Sequence, residues 1–201
     1  MKTRVFLSHS VKDKLLVSSF VDLLQAGMDI NINEIYCTSN GVLPTGELFV
    51  EDIKANLLET DFCVFLLSKN FYESRFCLNE MGAAWILNKK VFPILVPPID
   101  FPDIENTAFK GKNAKKILNK NDIVEMFSEL KKLKLIESAD YSRFLQKLDE
   151  FIIKKPWTLL QNLTPNCLLS KNDLLLRPLP NLQKKDNKLS PTIPLKQNKL
   201  F

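Results

Sequence analysis

Two residues placed four positions apart, one aromatic and one acidic, are the strongest candidates for chemistry in this sequence. Phe76 and Glu80 fall in a helical pattern, so their side chains share one face of that helix. A carboxylate beside an aromatic ring can hold a sugar and stack against a planar base. The alternative is a glutamate on the solvated side of a helix, which is the usual position of glutamate in proteins.

The single histidine, His9, raises a second hypothesis, a Ser-His-Asp hydrolase. The chain has no G-x-S-x-G motif, and Ser8 and Ser10 adjoin His9 too closely to serve easily as its nucleophile. We therefore reject a triad and keep His9 as a candidate binding residue. The sequence also lacks the G-x-G-x-x-G and Walker signatures of a bound nucleotide cofactor. Its four cysteines have no C-x-x-C spacing and favour buried free thiols over disulfides or a metal site.

Short apolar runs that alternate with helical patterns predict the scaffold for these residues. Runs without polar alternation are typical of strands buried on both faces of a parallel sheet. The predicted strands are Val5–Ser8, Glu34–Cys37, Phe62–Leu67, Val91–Val96 and a weak one near Ala114–Leu118. Five helices are predicted from their core faces. The first has Leu16, Phe20, Leu23 and Leu24 after a Ser10-x-x-Asp13 start signal, the second has Phe49, Ile53 and Leu57, and the third has Cys77, Met81, Ala84 and Trp85 after a Ser74 cap. The last two have Ile123, Phe127, Leu130 and Leu133, and Tyr141, Phe144, Leu145, Leu148 and Ile152. This pattern indicates an α/β fold, a flavodoxin-like, doubly wound, five-stranded parallel sheet.

Ligands of such sheets bind outside the carboxyl ends of the strands, where the strand order reverses. With the common order 2-1-3-4-5, that point lies between the first and third strands. The first strand ends at Ser8 and His9, and the third leads through 69–73 to the helix that carries Glu80. The loop 38–47 contains Ser39 and Gly41, and its two glycines and one proline suit a shaped, mobile lid over the crevice.

Charge and composition divide the chain into residues 1–155 and a tail, 156–201. The first part carries 21 basic and 21 acidic residues, so the net charge of +5 belongs to the tail and nucleic-acid binding is not expected of the first part. The tail holds six of the 11 prolines and none of the five glycines. We expect it to be mostly disordered or to dock on a partner. No apolar run could span a membrane and no secretory signal is expected at the N-terminus, which together favour a cytoplasmic protein.

Four motifs resemble those of the Toll/interleukin-1 receptor (TIR) domain, bacterial type. Val5-Phe6-Leu7-Ser8-His9-Ser10, followed by Asp13, resembles the opening box F-I-S-[HY]-S-x-x-D. Gly41-x-x-Pro44-x-Gly46-Glu47 is similar to the BB loop of these domains. Ser74-Arg75-Phe76-Cys77-Leu78-Asn79-Glu80 resembles the box S-x-[WF]-C-x-x-E, and Phe92-Pro93-Ile94-Leu95-Val96 resembles the strand P-[IV]-x-V. The four occur in the right order and cover residues 4 to about 155.

The resemblance implies an NAD+ nucleosidase, since many bacterial and plant TIR domains cleave NAD+ to ADP-ribose or a cyclic variant. It assigns catalysis to Glu80, stacking to Phe76, and the substrate site to Phe6, Ser8 and His9, with Ser39 and Gly41 contributed by the lid. NAD+ is then the substrate, with no resident cofactor or metal. The implied setting is bacterial antiviral defence, with other TIR domains, and a separate effector or sensor protein, as partners. This hypothesis requires Glu80 to face an open cleft and not an internal ion pair.

Two alternatives to this enzyme stay open. TIR domains also serve as non-catalytic interaction modules that bind one another through the BB loop and neighbouring helices. A nucleoside deoxyribosyltransferase-like enzyme would share the sheet topology and a catalytic glutamate, but it would not explain the opening box or the BB-like loop.

Overall fold

Five parallel strands form a single sheet in the part of the chain that the computed structural model describes, residues 4–38 and 47–161. The order β2-β1-β3-β4-β5 confirms the predicted topology. The strands are β1 (Val5–Ser8), β2 (Ile35–Cys37), β3 (Phe62–Leu67), β4 (Val91–Leu95) and β5 (Lys115–Lys116). The last strand is shorter than predicted, because only Ile94 and Leu95 of β4 pair with it.

Six α-helices accompany the strands in the described residues. They are α1 (Lys14–Met28), α2 (Glu47–Glu59), α3 (Lys69–Glu73), α4 (Arg75–Ile86), α5 (Lys120–Lys132) and α6 (Tyr141–Gln161). Short 3₁₀ helices occupy Val11–Asp13, Ile32–Glu34 and Phe101–Ile104. The sequence analysis assigned no element to 69–73, where α3 lies; this helix forms because the Ser68 hydroxyl accepts a hydrogen bond from the Phe71 N–H and because Phe71 is fully buried.

The sheet is covered on both faces, as the fold class requires. Side chains alternate along each strand, so Val5 and Leu7 point to one face while Phe6 and Ser8 point to the other. One face packs against α1, α5 and α6. The other packs against α2, α3 and α4, and the side chains of Cys63, Phe65 and Leu67 lie on it. The second face, hereafter the α2/α3/α4 face, is the one that receives Glu80.

The prediction for the core side of α4 was partly wrong. Cys77, Met81 and Ala84 are buried as predicted, but Trp85 is 60 % exposed. Glu80 is buried in its place, so the inward side of the helix is rotated towards the glutamate. Leu133 and Tyr141, predicted as core residues of α5 and α6, are exposed as well.

The start signal of α1 also acts differently from its prediction. Ser10 accepts a hydrogen bond from the Lys12 N–H and begins the 3₁₀ helix that precedes α1. The Asp13 side chain accepts hydrogen bonds from Ser68 and Asn70 instead of closing a capping box with Ser10, because those two donors are close to it.

Other features of the described residues bear on the remaining predictions. Cys37, Cys63 and Cys77 are buried free thiols, as predicted. None of the helices in the described ranges has both the length and the apolar character needed to cross a membrane. The helix α6 continues to Gln161, so residues 156–161 of the predicted tail are helical, and the rest of that tail lies outside the described residues.

Candidate functional site

The candidate site lies at the carboxyl end of β1, where this strand lies between β2 and β3. Ser8, the last residue of β1, donates a hydrogen bond from its hydroxyl to Oε2 of Glu80 on α4. Ser8 is fully buried and Glu80 is only 3 % exposed. The contact therefore joins residues 72 positions apart in the sequence at the predicted reversal of strand order.

Helix α4 directs Glu80 inwards because of how its first turn is fixed. Ser74 caps the helix, its hydroxyl accepting a hydrogen bond from the Cys77 N–H at 3.3 Å. Cys77 and Met81 then pack on the α2/α3/α4 face, and residues three or four positions apart share a side of a helix. Glu80, between them in the sequence, is thereby carried into the interior.

The electrostatics of Glu80 are those of a buried acid with one hydrogen-bond donor. Among the described residues, no basic side chain forms an ion pair with Glu80, and its Oε1 is buried without a hydrogen-bond partner. Burial raises the pKa of Glu80 to about 8, and the hydrogen bond from Ser8 opposes that rise. The carboxyl group is therefore mostly protonated at neutral pH in this arrangement.

Tyr36 is a residue of this neighbourhood that the sequence analysis did not identify. Its ring stacks on Phe6, with centroids 5.4 Å apart and planes at 19°. Its hydroxyl donates to Oδ2 of Asp52 at 2.7 Å. Burial raises the pKa of Tyr36, and the nearby charges of Asp52 and Glu80 act in the same direction. The signal that could have identified Tyr36 is the register of β1 and β2, since Phe6 and Tyr36 pair across these two strands in the predicted strand order.

A second buried carboxylate, Asp13, links the segments that follow β1 and β3. The Ser68 hydroxyl donates to Asp13 Oδ2 at 2.5 Å, and the Asn70 amide donates to Oδ1 at 2.6 Å. Charge-assisted bonds of this length are stronger than neutral ones. They fix the two strand ends between which the site lies, a role the sequence did not indicate.

His9 lies beside this cluster but faces the protein interior. It is 2 % exposed, and its Nδ1 donates to the Leu7 carbonyl at 3.1 Å. Burial lowers its pKa, so the imidazole is neutral at pH 7. Its own carbonyl accepts a hydrogen bond from the Cys77 thiol at 3.4 Å. These contacts hold α4 against the end of β1.

The structure brings together only part of the set of predicted site residues. Phe6, Ser8 and Glu80 share the α2/α3/α4 face, and Phe76 packs half-buried against the same face. Ser39 and Gly41 lie outside the described residues. Glu80 differs from both predictions: at 3 % exposure it is neither solvated nor open to a cleft at the surface. Within residues 4–38 and 47–161, no three His, Cys, Asp or Glu side chains are grouped to hold a metal ion.

Comparison with known proteins places this chain in a family. A family model described as "TIR domain" matches residues 5–129, more than half of the chain. The uncharacterized protein YddK of Bacillus subtilis (strain 168) is 32% identical over 123 residues, which are 60% of this chain and 42% of YddK. The chain therefore spans less than half the length of that relative.

Two solved structures are similar to the chain at low identity. The TIR domain of the Toll-related receptor TRR-2 from Hydra magnipapillata has a TM-score of 0.49 and 16% identity, covering 65% of this chain and 96% of that domain. The TIR domains of the activated Roq1 resistosome, which directly recognizes the pathogen effector XopQ, give a TM-score of 0.37 and 18% identity, covering 75% and 83% of the two chains. By the match of the family model to residues 5–129, the chain belongs to the TIR domain family.

Proposed function

We propose that this TIR domain cleaves the nicotinamide–ribose bond of NAD+, giving ADP-ribose or a cyclic ADP-ribose-type signal, with Glu80 as its catalytic residue. One observation carries the proposal: a buried carboxyl group at the carboxyl end of β1 has one hydrogen-bonded oxygen and one unpartnered oxygen. Perturbed acids of this kind are concentrated at functional sites. The motif resemblance and the family membership support the same reading, and the proposed setting is bacterial antiviral defence.

A single carboxylate suffices for this reaction because of the leaving group. Ordinary glycoside hydrolysis needs a second carboxyl group to protonate a departing alkoxide. Nicotinamide departs as a neutral molecule, since the pyridinium ring of NAD+ already carries a positive charge. The remaining task is to stabilise the oxocarbenium-like ribose and to orient its hydroxyl groups, which one carboxylate beside the ribose can do.

The raised pKa of Glu80 fits this task only when the substrate is bound. A carboxyl group with a pKa of about 8 is mostly neutral at pH 7. The positive nicotinamide ring, brought close to Glu80, favours the ionised form and lowers that pKa. The substrate thus helps to generate the carboxylate that acts on it.

The enclosure of Glu80 bears on when the enzyme is active. At 3 % exposure, the carboxyl group can contact a ribose only after the side chains packed around it move apart. We therefore expect a single copy of the chain to be inactive or weakly active. Self-association, which the family resemblance implies, is the proposed means of opening the site.

Release of nicotinamide tests the proposal directly. The purified chain is incubated with NAD+, alone and clustered on a multivalent support, and products are followed by mass. We expect release from the clustered wild type and at least a 100-fold loss, about 2.7 kcal/mol of transition-state stabilisation, in Glu80→Ala. Glu137→Ala, which changes an exposed glutamate between α5 and α6, is the matched control and should keep full activity. No release in either state, or undiminished release from Glu80→Ala, overturns the proposal.

A second candidate function, a non-catalytic TIR–TIR interaction module, is favoured by the outer side of α4. Leu78, Trp85 and Ile86 are 40 %, 60 % and 75 % exposed on this helix. Exposed apolar side chains grouped on one element are typical of protein interaction sites. Loss of partner binding from Trp85→Glu, with no effect of Glu80→Ala on signalling, would favour the module over the enzyme.

A further inference from the structure

We propose that Ser8 is a positioning residue for Glu80: it holds Oε2 so that Oε1 is presented to a hydroxyl group of the substrate ribose. This inference rests on the proposed cleavage of NAD+. It changes the role expected for Ser8, which the family resemblance placed in direct contact with the substrate. The contacts around the two residues favour the indirect role.

The burial and direction of Ser8 are the first line of evidence. Ser8 is fully buried at the end of β1, and alternation along the strand turns its side chain to the face that carries Phe6. Its hydroxyl hydrogen is donated to Glu80 Oε2. A buried hydroxyl whose single hydrogen is used in this way has no donor left for a ligand.

The unpartnered oxygen of Glu80 is the second line of evidence. Oε1 is buried without a hydrogen-bond partner within the described residues, and once Glu80 ionises it is a buried acceptor without a donor, which carries a desolvation cost. Such a cost is removed when a ligand supplies the donor. The hydroxyl groups of a ribose are donors of this kind, and they adjoin the bond that breaks. Oε1 is therefore the oxygen that we assign to the substrate.

The titratable groups that face Glu80 stay neutral where it ionises. The hydrogen bond from Ser8 is therefore the polar contact that controls this carboxyl group. Tyr36 on β2, Cys63 on β3 and Cys77 on α4 are close enough to interact with its charge. Burial raises the pKa of Tyr36 above its ordinary value, and it raises the pKa of Cys63 to about 12 and that of Cys77 to about 11. All three remain neutral in the range where Glu80 ionises. Of the side chains in the described ranges, Ser8 alone hydrogen-bonds to this carboxyl group.

Kinetics of Ser8→Ala separate positioning from substrate binding. Hydrogen bonds to charged groups are worth enough to lower kcat by about 10-fold to 100-fold when one is lost. We expect that loss with KM nearly unchanged, and we expect the rising limb of the pH–rate profile to move to higher pH, because Ser8 lowers the pKa of Glu80. Thr60→Val is the control: it removes a buried hydroxyl that bonds to Arg4 and Phe62 carbonyls at the opposite end of the sheet. It should alter neither kcat nor the profile.

A titration of Glu80 itself keeps this test independent of turnover. The side-chain carboxyl carbon of Glu80, identified by its absence in Glu80→Gln, is followed by ¹³C NMR against pH in the wild type and in Ser8→Ala. We expect a higher midpoint in Ser8→Ala and an unchanged one in Thr60→Val. An unchanged midpoint in Ser8→Ala, or a raised KM with an unshifted pH profile, overturns the role of Ser8. Absence of nicotinamide release from the wild type overturns the proposed function instead, so the two failures are distinguishable.

Discussion

Glu80 occupies a position that stabilises its protonated form at the expense of its charged form. The enclosing side chains exclude water, and one hydrogen bond from Ser8 is the compensation seen among the described residues. An aliphatic or amide side chain would avoid the cost of burying a charge there. The presence of a carboxyl group at this position is explained if its ionised form is used in a reaction. Its burial also has a consequence for stability.

That consequence is a fall in stability as the pH rises. The pKa of Glu80 is about 8 in the folded chain and near 4.5 when the chain is unfolded. Between these values the unfolded chain releases a proton that the folded chain retains, so raising the pH favours unfolding. We expect Glu80→Gln, which keeps an acceptor for Ser8 but does not ionise, to gain stability over the wild type from pH 5 to pH 8. The gain should reach on the order of a few kcal/mol, since each pKa unit is worth about 1.4 kcal/mol.

Urea unfolding at a series of pH values measures this difference. The same substitution at the exposed Glu137 provides the control, with a difference that stays constant across the range. A constant difference for Glu80→Gln as well would mean that the carboxyl group is ionised in the folded chain. The account of Glu80 as a buried neutral acid would then be wrong.

At the scale of the elements, the site depends on how the ends of β1 and β3 are joined. Asp13 accepts hydrogen bonds from Ser68 and Asn70, and the Ser68 hydroxyl also begins α3. We expect Asp13→Ala to lower the free energy of unfolding by about 3 kcal/mol, because two bonds to a buried carboxylate are lost together. Asp140→Ala, which removes one bond to the Arg143 N–H at an exposed helix start, should cost only about 1 kcal/mol. Equal losses in the two variants would contradict a special role of Asp13.

The elements themselves were largely predictable, whereas the orientation of α4 was not. An apolar run without polar alternation, such as Phe62–Leu67, is typical of a strand buried on both faces of a parallel sheet. The observed strand has the same bounds. On α4, hydrophobicity favoured Trp85 over Glu80 for the interior, and the structure has the reverse. Cys77 and Met81 pack on the sheet beside Glu80, and Glu80 also contacts Ser8, 72 positions away, a contact that no local pattern encodes. For the same reason the partners of Asp13 could not be inferred from its place in a helix start signal.

Candidate site residues were predictable where a motif contained them, and they were not predictable where only a tertiary contact brings them to the site. The resemblance pointed to Phe6, Ser8 and Glu80, which the structure brings to one face of the sheet. Tyr36 belongs to no quoted motif and adjoins Phe6 only through the pairing of β1 with β2. A residue of this kind becomes visible only when the register of the sheet is known.

At the scale of the whole molecule, α4 links the buried Glu80 to an exposed apolar surface. Glu80 faces the interior of the sheet, while Trp85 and Ile86, 60 % and 75 % exposed, lie on the outer side of the same helix. Contact between copies through this outer side would bear directly on the element that encloses the carboxyl group. Activity should then depend on protein concentration, with activity per molecule rising as copies associate.

Trp85→Glu tests this connection. Truncation or charging of a central tryptophan commonly weakens an interface by 2 kcal/mol or more, which corresponds to an association about 30-fold weaker or more. We expect this variant to fold normally, to stay monomeric at higher concentration in sedimentation experiments, and to lose the rise in nicotinamide release per molecule. Ile153→Glu charges a residue of similar exposure, 72 %, on α6 at the other face of the sheet, and it should behave as the wild type. If both variants associate and react like the wild type, α4 is not the contact that opens the site, and another surface must control access to Glu80.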